Sequence, residues 1–267
     1  MDSTPGLART ALALLASMVF GSAQAAMVDI VNHSFENDPA APNTFPTTFA
    51  PDGWSFYDPN QLIGGNNAVG VIDAPVGSEF FPGGVPDGEQ AALIYLAGSD
   101  GSGQPGEREV GITQELSALL TANTRYTLQV DIGNIASGTG SPPFDAFGFF
   151  DLRGFPGYRT ELLAGGIVIA FDDNSLGGSL PDGTFATSTL QVDIGATHAQ
   201  LGAALEIRLI NLNIPGTADA PGIEVDFDNV RLDASPVPLP GAVYLLGSVL
   251  LLPLLRTRRR RQHEHPR

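Results

Sequence analysis

The side chains able to do chemistry in this sequence are mostly carboxylates. Between Met27 and Ser235 there are 27 Asp and Glu against six Arg (Arg108, Arg125, Arg153, Arg159, Arg208 and Arg231), a net charge of −21 for that stretch. The whole chain has no Lys and no Cys. Without thiols there is no disulfide framework, no sulfur nucleophile and no Cys-ligated zinc. Oxygen donors alone suit hard cations such as Ca2+. Two carboxyls brought together in space suit acid–base work such as glycoside hydrolysis. Asp100 with Glu107 and Glu109, and the pair Asp172-Asp173, lie in Gly-rich stretches without the D-x-D-x-D-G spacing of an EF-hand, so they read as solvated turns.

Other reactive patterns are missing. His33 and His198 are far apart in sequence, with no G-x-S-x-G elbow and no H-E-x-x-H pair between Met27 and Ser235. Gly98-Ser-Asp-Gly-Ser-Gly103 has the glycines of a phosphate loop but no Lys follows it, which reads as a flexible loop. Trp54, Phe56 and Tyr57 form a tight aromatic group whose faces could stack on pyranose rings, with Trp54 and Tyr57 the candidate glycan contacts. A single Trp in a sheet protein is more often packed in the core. The acidic body repels nucleic-acid phosphate, which excludes duplex DNA or RNA as a partner.

Short strands must position these groups. Gly (32) and Pro (21) make up about a fifth of the chain and separate β-branched and apolar runs. The runs predict strands at Met27–Val31, Ala68–Ile72, Ala91–Ala97, Val110–Leu116, Arg125–Ile132, Phe147–Arg153, Leu162–Phe171, Ala186–Asp193, Leu205–Asn211 and Glu224–Leu232. In Tyr126-Thr-Leu-Gln-Val-Asp-Ile132 the four apolar residues share one face. Only Leu116–Ala122 and Thr197–Ala204 suit a helical turn. The expected fold is all-β, a single β-sandwich over residues 26–235.

Both ends read as addresses. Residues 1–25 combine Arg9, an apolar run from Thr10 to Phe20 and the A-x-A site Ala23-Gln-Ala25, the pattern of a cleaved secretory signal helix. Residues 236–261 hold Val237-Pro238-Leu239-Pro240, an uncharged run from Gly241 to Leu255, and the stop-transfer group Arg256, Arg258, Arg259, Arg260 and Arg261. That run spans roughly 22 Å as a helix against a hydrocarbon core of roughly 30 Å, so it serves as a marginal anchor with its Arg end held in the cytoplasm. Residues 262–267 are a polar tail.

The tail resembles the PEP-CTERM class of bacterial sorting signals in its Val-Pro-Leu-Pro variant. That resemblance implies an exosortase-type membrane transpeptidase acting near Pro238–Pro240 and removal of the tail, the alternative being a permanent single-span anchor. The body resembles the galactose-binding-like jelly roll of extracellular carbohydrate-binding modules. The residues that carry this are Asn32-His-Ser-Phe-Glu36 with Gly53-Trp54, then Gly111-Ile-Thr-Gln-Glu-Leu116 and Ala122-Asn-Thr-Arg-Tyr-Thr-Leu128, and last Val225-Asp-Phe-Asp-Asn-Val-Arg-Leu232. It implies a structural Ca2+ shared by Glu36 and Asp228, with Asp226 and backbone carbonyls as further ligands. Together these features lead us to expect an exported, non-enzymatic protein that passes through an inner-membrane intermediate to the cell surface or an exopolysaccharide matrix. The alternatives are a carbohydrate-binding module and a glycosidase or lyase acting on matrix polymers.

Overall fold

Alternation of apolar and polar residues sets two packed sheets. A computed structural model describes residues 26–47, 49–64, 67–97, 109–214 and 222–237. The signal helix, the C-terminal apolar run, Pro238, Leu239, Pro240 and the arginine group lie outside the described residues. The strands are β1 (Ala26–Val28), β2 (Ser55–Tyr57), β3 (Ala68–Asp73), β4 (Gln90–Ala97), β5 (Val110–Leu119), β6 (Thr124–Asn134), β7 (Gly138–Thr139), β8 (Phe149–Phe150), β9 (Tyr158–Ala164), β10 (Ile167–Asp173), β11 (Thr184–Ile194), β12 (Ala204–Asn211) and β13 (Gly222–Pro236). One sheet runs β11-β6-β13-β4-β3 with β1 added to β13; the other runs β10-β9-β12-β5-β2; β7 and β8 form a small ribbon. All pairs are antiparallel. The fold is thus an all-β sandwich, consistent with a jelly roll. Its only helical piece among the described residues is the short 3-10 turn Phe144–Phe147, and no described helix is long and apolar enough to cross a membrane.

The inner faces meet in one core. Tyr126, Leu128, Val130 and Ile132 of β6 and Val225, Phe227, Val230 and Leu232 of β13 face Ile112 and Leu116 of β5 and Leu205, Ile207 and Leu209 of β12. Each fully buried side chain of this kind contributes about 1.5–3 kcal/mol. The pairing of β13 with β6 slips between Asp228 and Arg231, where Asn229 takes φ 51°. This bulge changes the parity of the strand, so odd residues face the core before it and even residues after it.

A second, smaller core covers the outer face of the six-stranded sheet. Ala91 and Leu93 of β4 and Ile72 of β3 pack there against Phe80, Phe81, Ile135 and Leu152. Phe80 and Phe81 come from the 74–89 loop, which folds flat on the sheet through hydrogen bonds such as Ala74 N–H to Glu89 O and Ala136 N–H to Phe80 O.

The stretch Leu162–Phe171, expected as one strand, is a hairpin. Gly165 and Gly166 take φ +58° and +76°, the left-handed pair that a tight turn needs, and divide it into the ends of β9 and β10. Phe147–Arg153 gives only the short β8. The expected helical turns are absent: Leu116–Leu119 continues β5, and residues 197–202 are a string of turns.

Candidate active site

On β13, Glu224, Asp226 and Asp228 alternate with core residues and so point to the outer face, beneath the second core. Their exposures are 3%, 0% and 0%. Buried carboxyls are costly unless they are paired or neutral. Asp228 finds donors: its two oxygens accept the backbone N–H groups of Asp87 (2.8 Å) and Asn229 (2.6 Å). Glu224 and Asp226 meet each other instead. Both oxygens of Asp226 and Oε1 of Glu224 have no hydrogen-bond donor. Two carboxyls side by side in so dry a place cannot both be charged. Burial pushes Glu224 up to about 8, and burial together with the Glu224 charge holds Asp226 well above the usual carboxylate range. Burial also pushes Asp228 up to about 8.

The sheet register shows what surrounds the pair. Phe185 of β11 sits opposite Gly133 of β6, Gly133 opposite Asp226, and Asp226 opposite Leu93 of β4. Glu224 stands opposite Tyr95, whose phenol is raised by burial and then by the Glu224 charge. Gly133 is essential to this row. A Cβ there would lie 2.7 Å from the Phe185 ring and 3.0 Å from Asp226 Cβ. Lacking one, Gly133 leaves room for the Phe185 ring beside Asp226, with Phe81 tilted at 38° to Phe185 and 4.5 Å away. Above Phe185 opens a cleft of about 470 Å³ lined by the 82–86 loop, Ala136 and Asp182–Phe185. Further aromatic rings, Phe45, Phe144, Phe147 and Phe150, continue from Phe80 toward the surface, where Phe147 and Phe149 are exposed. The cleft can hold an apolar aromatic molecule, and the Phe185 ring in its wall packs on the side of Gly133 that also meets Asp226.

The residues singled out by sequence separate. Glu36 and Asp228 do approach one loop: Glu36 Oε1 accepts the N–H groups of Glu89 (2.9 Å) and Gln90 (2.7 Å). As placed, both clamp the 87–90 backbone, while Asp226 turns to Glu224. Among the described residues no group of three or more His, Cys, Asp or Glu is arranged to hold a metal. As placed, Glu36 and Asp228 accept backbone N–H groups, and no chemical step is assigned to a cation. Trp54 is 6% exposed and packs on Phe35 at 5.5 Å, so its ring belongs to the core. Tyr57 lies on the outer face of the five-stranded sheet, covered by the Arg208 guanidinium at 4.2 Å. The Trp54 ring is therefore taken up by the core, while the half-buried Tyr57 ring carries Arg208 on its face. Val237 N–H bonds to Asn123 O, extending the end of β13. His33 lies 3.7 Å from Asp87 and His198 bonds within its own turn.

Sequence reasoning missed Glu224, Tyr95, Gly133 and Phe185. A signal was there: acids at alternate positions of a strand whose other positions are Val225 and Phe227 can only be buried if that strand is covered on both faces.

Comparison with known proteins defines what class of β-sandwich this is. The HpiC1-like family, described as HpiC1 cyclase, matches residues 26–233, and the chain belongs to that family. A Stig cyclase, Fisc, from Fischerella sp. TAU, crystallised with (3Z)-3-(1-methyl-2-pyrrolidinylidene)-3H-indole, is 36% identical over 80% of this chain and 100% of its own, with a TM-score of 0.67. A cyclase from the same organism in complex with 4-(1H-indol-3-yl)butan-2-one is 37% identical over 80% and 100%, TM-score 0.66. An apo cyclase from Fischerella sp. is 37% identical over 80% and 98%, TM-score 0.65. No curated protein matches the chain.

These findings correct the sequence reading. The body belongs to a family of enzymes, the cyclases, so the expectation of a non-enzymatic matrix protein falls. The galactose-binding-like and PEP-CTERM assignments give way to the cyclase family. The same match replaces the carbohydrate-binding and polysaccharide-cleaving alternatives. Small molecules, such as those bound by the relatives, take the place of an exosortase, a membrane or a polysaccharide as the expected partner. The misreading has a physical origin: the opening turn and the closing strand are features of how a jelly roll begins and ends, and a fold carries no chemistry of its own.

Proposed function

We propose that this chain is a proton-dependent cyclase acting on a small molecule that carries an indole and an unsaturated side chain, with Asp226 as the proton donor. The observation that carries this is the position of Asp226: fully buried, without a hydrogen-bond donor on either oxygen, and beside Gly133, against which packs Phe185, a residue of the cleft wall. The indole class rests on the ligands of the relatives.

The balance of the step is simple. The Asp226 proton goes to one carbon of a side-chain double bond, whose π electrons form the new C–H bond and leave a cation at the other carbon. The indole π electrons close the ring onto that carbon. The ring carbon then loses its proton to the Asp226 carboxylate, restoring aromaticity, so substrate and product are isomers and the acid is regenerated. A general acid of this kind needs to be protonated near neutral pH. Burial supplies that condition for Asp226. The faces of Phe185 and Phe81 suit a passing cation, and the apolar walls keep water from capturing it. The leader read over residues 1–25 supports an exported enzyme.

The test uses a 3-alkenylindole and follows a cyclised isomer by mass and NMR. Turnover by the wild type and none by Asp226→Asn, with the circular dichroism of the two superimposable, is the expected result. Full turnover by Asp226→Asn overturns the assignment.

A further inference from the structure

The cleft walls are apolar side chains and backbone: Pro82, Val85, Pro86, Ala136 and Phe185 line it, and Asp182 is the one acid or base among its lining residues. Asp182 ends the loop between β10 and β11, and hydrogen bonds fix its turn. The Asn134 side chain, 3% exposed, donates through Nδ2 to Leu180 O (2.8 Å) and to Asp182 Oδ1 (3.1 Å). Gly183 N–H donates to Asn134 O (2.7 Å) and Thr184 Oγ1 to Pro181 O (2.6 Å). Gly183 takes φ +70°, and a Cβ there would lie 3.1 Å from Pro82 Cδ and 3.3 Å from Ala136 Cβ, so glycine lets the turn close onto the 82–86 wall. The buried Asn134 keeps this post although its own Oδ1 has no donor, a cost to stability of the kind found where a side chain has a task beyond packing. The outcome is a carboxyl held at the cleft with Oδ1 engaged. Among the described residues no donor meets its Oδ2, and no Arg or His forms an ion pair with it.

A flat aromatic molecule in such a slot buries its faces against Phe185 and the prolines and leaves its edge to find polar partners. An indole with a hydrocarbon side chain has a single hydrogen-bond donor, the ring N–H. We propose that Asp182 is the specificity-determining residue for the indole ring: its Oδ2 accepts the ring N–H and so sets which way round the ring lies in the cleft. This rests on the reading of the cleft as the site of an indole substrate. Asp182 touches the ring, and Asn134 positions Asp182. A hydrogen bond to a carboxylate in a partly wet site is worth about 10-fold in affinity.

The test compares a ring N–H with a ring N–methyl. Binding of 3-methylindole and of 1,3-dimethylindole to the full chain is measured by titration calorimetry, and kcat and KM are compared for the 3-alkenylindole and its N-methyl counterpart. The wild type should favour the N–H compound by about 10-fold, read in Kd and in KM with kcat moved little. Asp182→Ala should bring the ratio close to one, and Asp182→Asn, which keeps a neutral acceptor, should give a ratio between the two. Circular dichroism superimposable on wild type shows that both variants are folded. A preference that persists in Asp182→Ala would come from the bulk of the methyl group and overturns the proposal, as does a wild type that binds both indoles equally or neither. The two readings fail separately. A preference that depends on Asp182, with no turnover of the 3-alkenylindole, keeps the N–H contact and removes Asp226 as donor. Turnover lost in Asp226→Asn, with the preference undiminished in Asp182→Ala, keeps the donor and removes the contact.

Discussion

The outer faces of the two sheets both carry acids; the five-stranded face matches them with arginines, and the six-stranded face does so at Arg125–Asp193 and Arg231–Asp131 but not at Glu224 and Asp226. On the five-stranded sheet, Arg208 bonds to Glu161 (2.9 Å) and Glu206 (3.2 Å), and Arg159 bonds to Glu109 (3.3 Å) and Asp173 (2.9 Å). Arg208 also lies on Tyr57, and Thr113 donates to Glu206 at 2.6 Å. This is a lattice of matched charges that fixes the strands. On the six-stranded sheet, Glu224 and Asp226 lie deeper and have no such partners. Six arginines serve the whole body, and two of them are spent on the first face. Matched acids stabilise; unmatched buried acids cost stability and gain reactivity.

The largest effect tests the reactive face. Asp226→Asn should lower turnover by about 10²–10⁴-fold, the usual contribution of a general acid. It should also raise the melting temperature at pH 8, because the amide needs no proton to be neutral. If the variant is both inactive and less stable at every pH, Asp226 belongs with the structural acids of the other face.

The next largest effect is on stability against pH. An acid whose pKa is higher folded than unfolded binds more protons in the folded state, so stability is full below the unfolded value, near 4, and falls as pH rises to the folded value. Glu224 and Asp228, each raised to about 8, and Asp73, raised to about 6 by burial with Glu89 and Glu36 nearby, place this loss between roughly pH 4 and 8. The melting temperature should decline steadily from pH 5 to 9 in differential scanning fluorimetry, and the slope should flatten in Asp226→Asn. A flat wild-type profile would mean that these acids are charged when folded.

Gly133→Ala probes the slot beside Asp226. The added methyl pushes against Phe185 and should cost about 1–3 kcal/mol by urea denaturation, with a larger proportional loss of turnover. On the opposite face, Arg208→Met leaves Glu161 with one longer contact to Arg159 at 3.9 Å and should cost about 1–2 kcal/mol while turnover is kept. Turnover lost in Arg208→Met and kept in Gly133→Ala would reverse the assignment of the two faces. The smallest effect is at the loop clamp. Glu36→Gln should lose about 1 kcal/mol, and the difference from wild type should persist in EDTA, since N–H groups hold Glu36. A difference seen only with added Ca2+ would make Glu36 a cation ligand.

Much of the sandwich was legible because its signals are local. Alternation placed β6, β12 and β13 within a few residues, and Phe149-Phe150 splits one ring out and one toward the second core, as an in-strand pair should. The Phe80-Phe81 pair buries both rings because it lies on a loop, where alternation has no force. The site was less legible. Asp226 and Asp228 stood out as acids on the closing strand, and the chemistry assigned to them was that of cation ligands. What separates a ligand from a proton donor is the company it keeps: a slot at Gly133, a ring from β11, a loop fifty residues before that slot. Those neighbours come from sheet register and not from adjacency in the chain.

The order of the strands has a consequence for when the enzyme becomes an enzyme. β13 is the last of the described strands to be synthesised, yet it lies inside its sheet, between β6 on one side and β4 and β1 on the other. Until it inserts, that sheet is two halves with a gap, and neither carboxyl of the pair has a dry place to sit. A chain halted before residue 222 therefore exposes the edges of β4 and β6 and lacks both carboxyls of the pair. Closing contacts of such long sequence separation form late and slowly. Burial of the β13 carboxyls thus coincides with insertion of the last described strand, and a nascent chain reaches that arrangement only once β13 is in place.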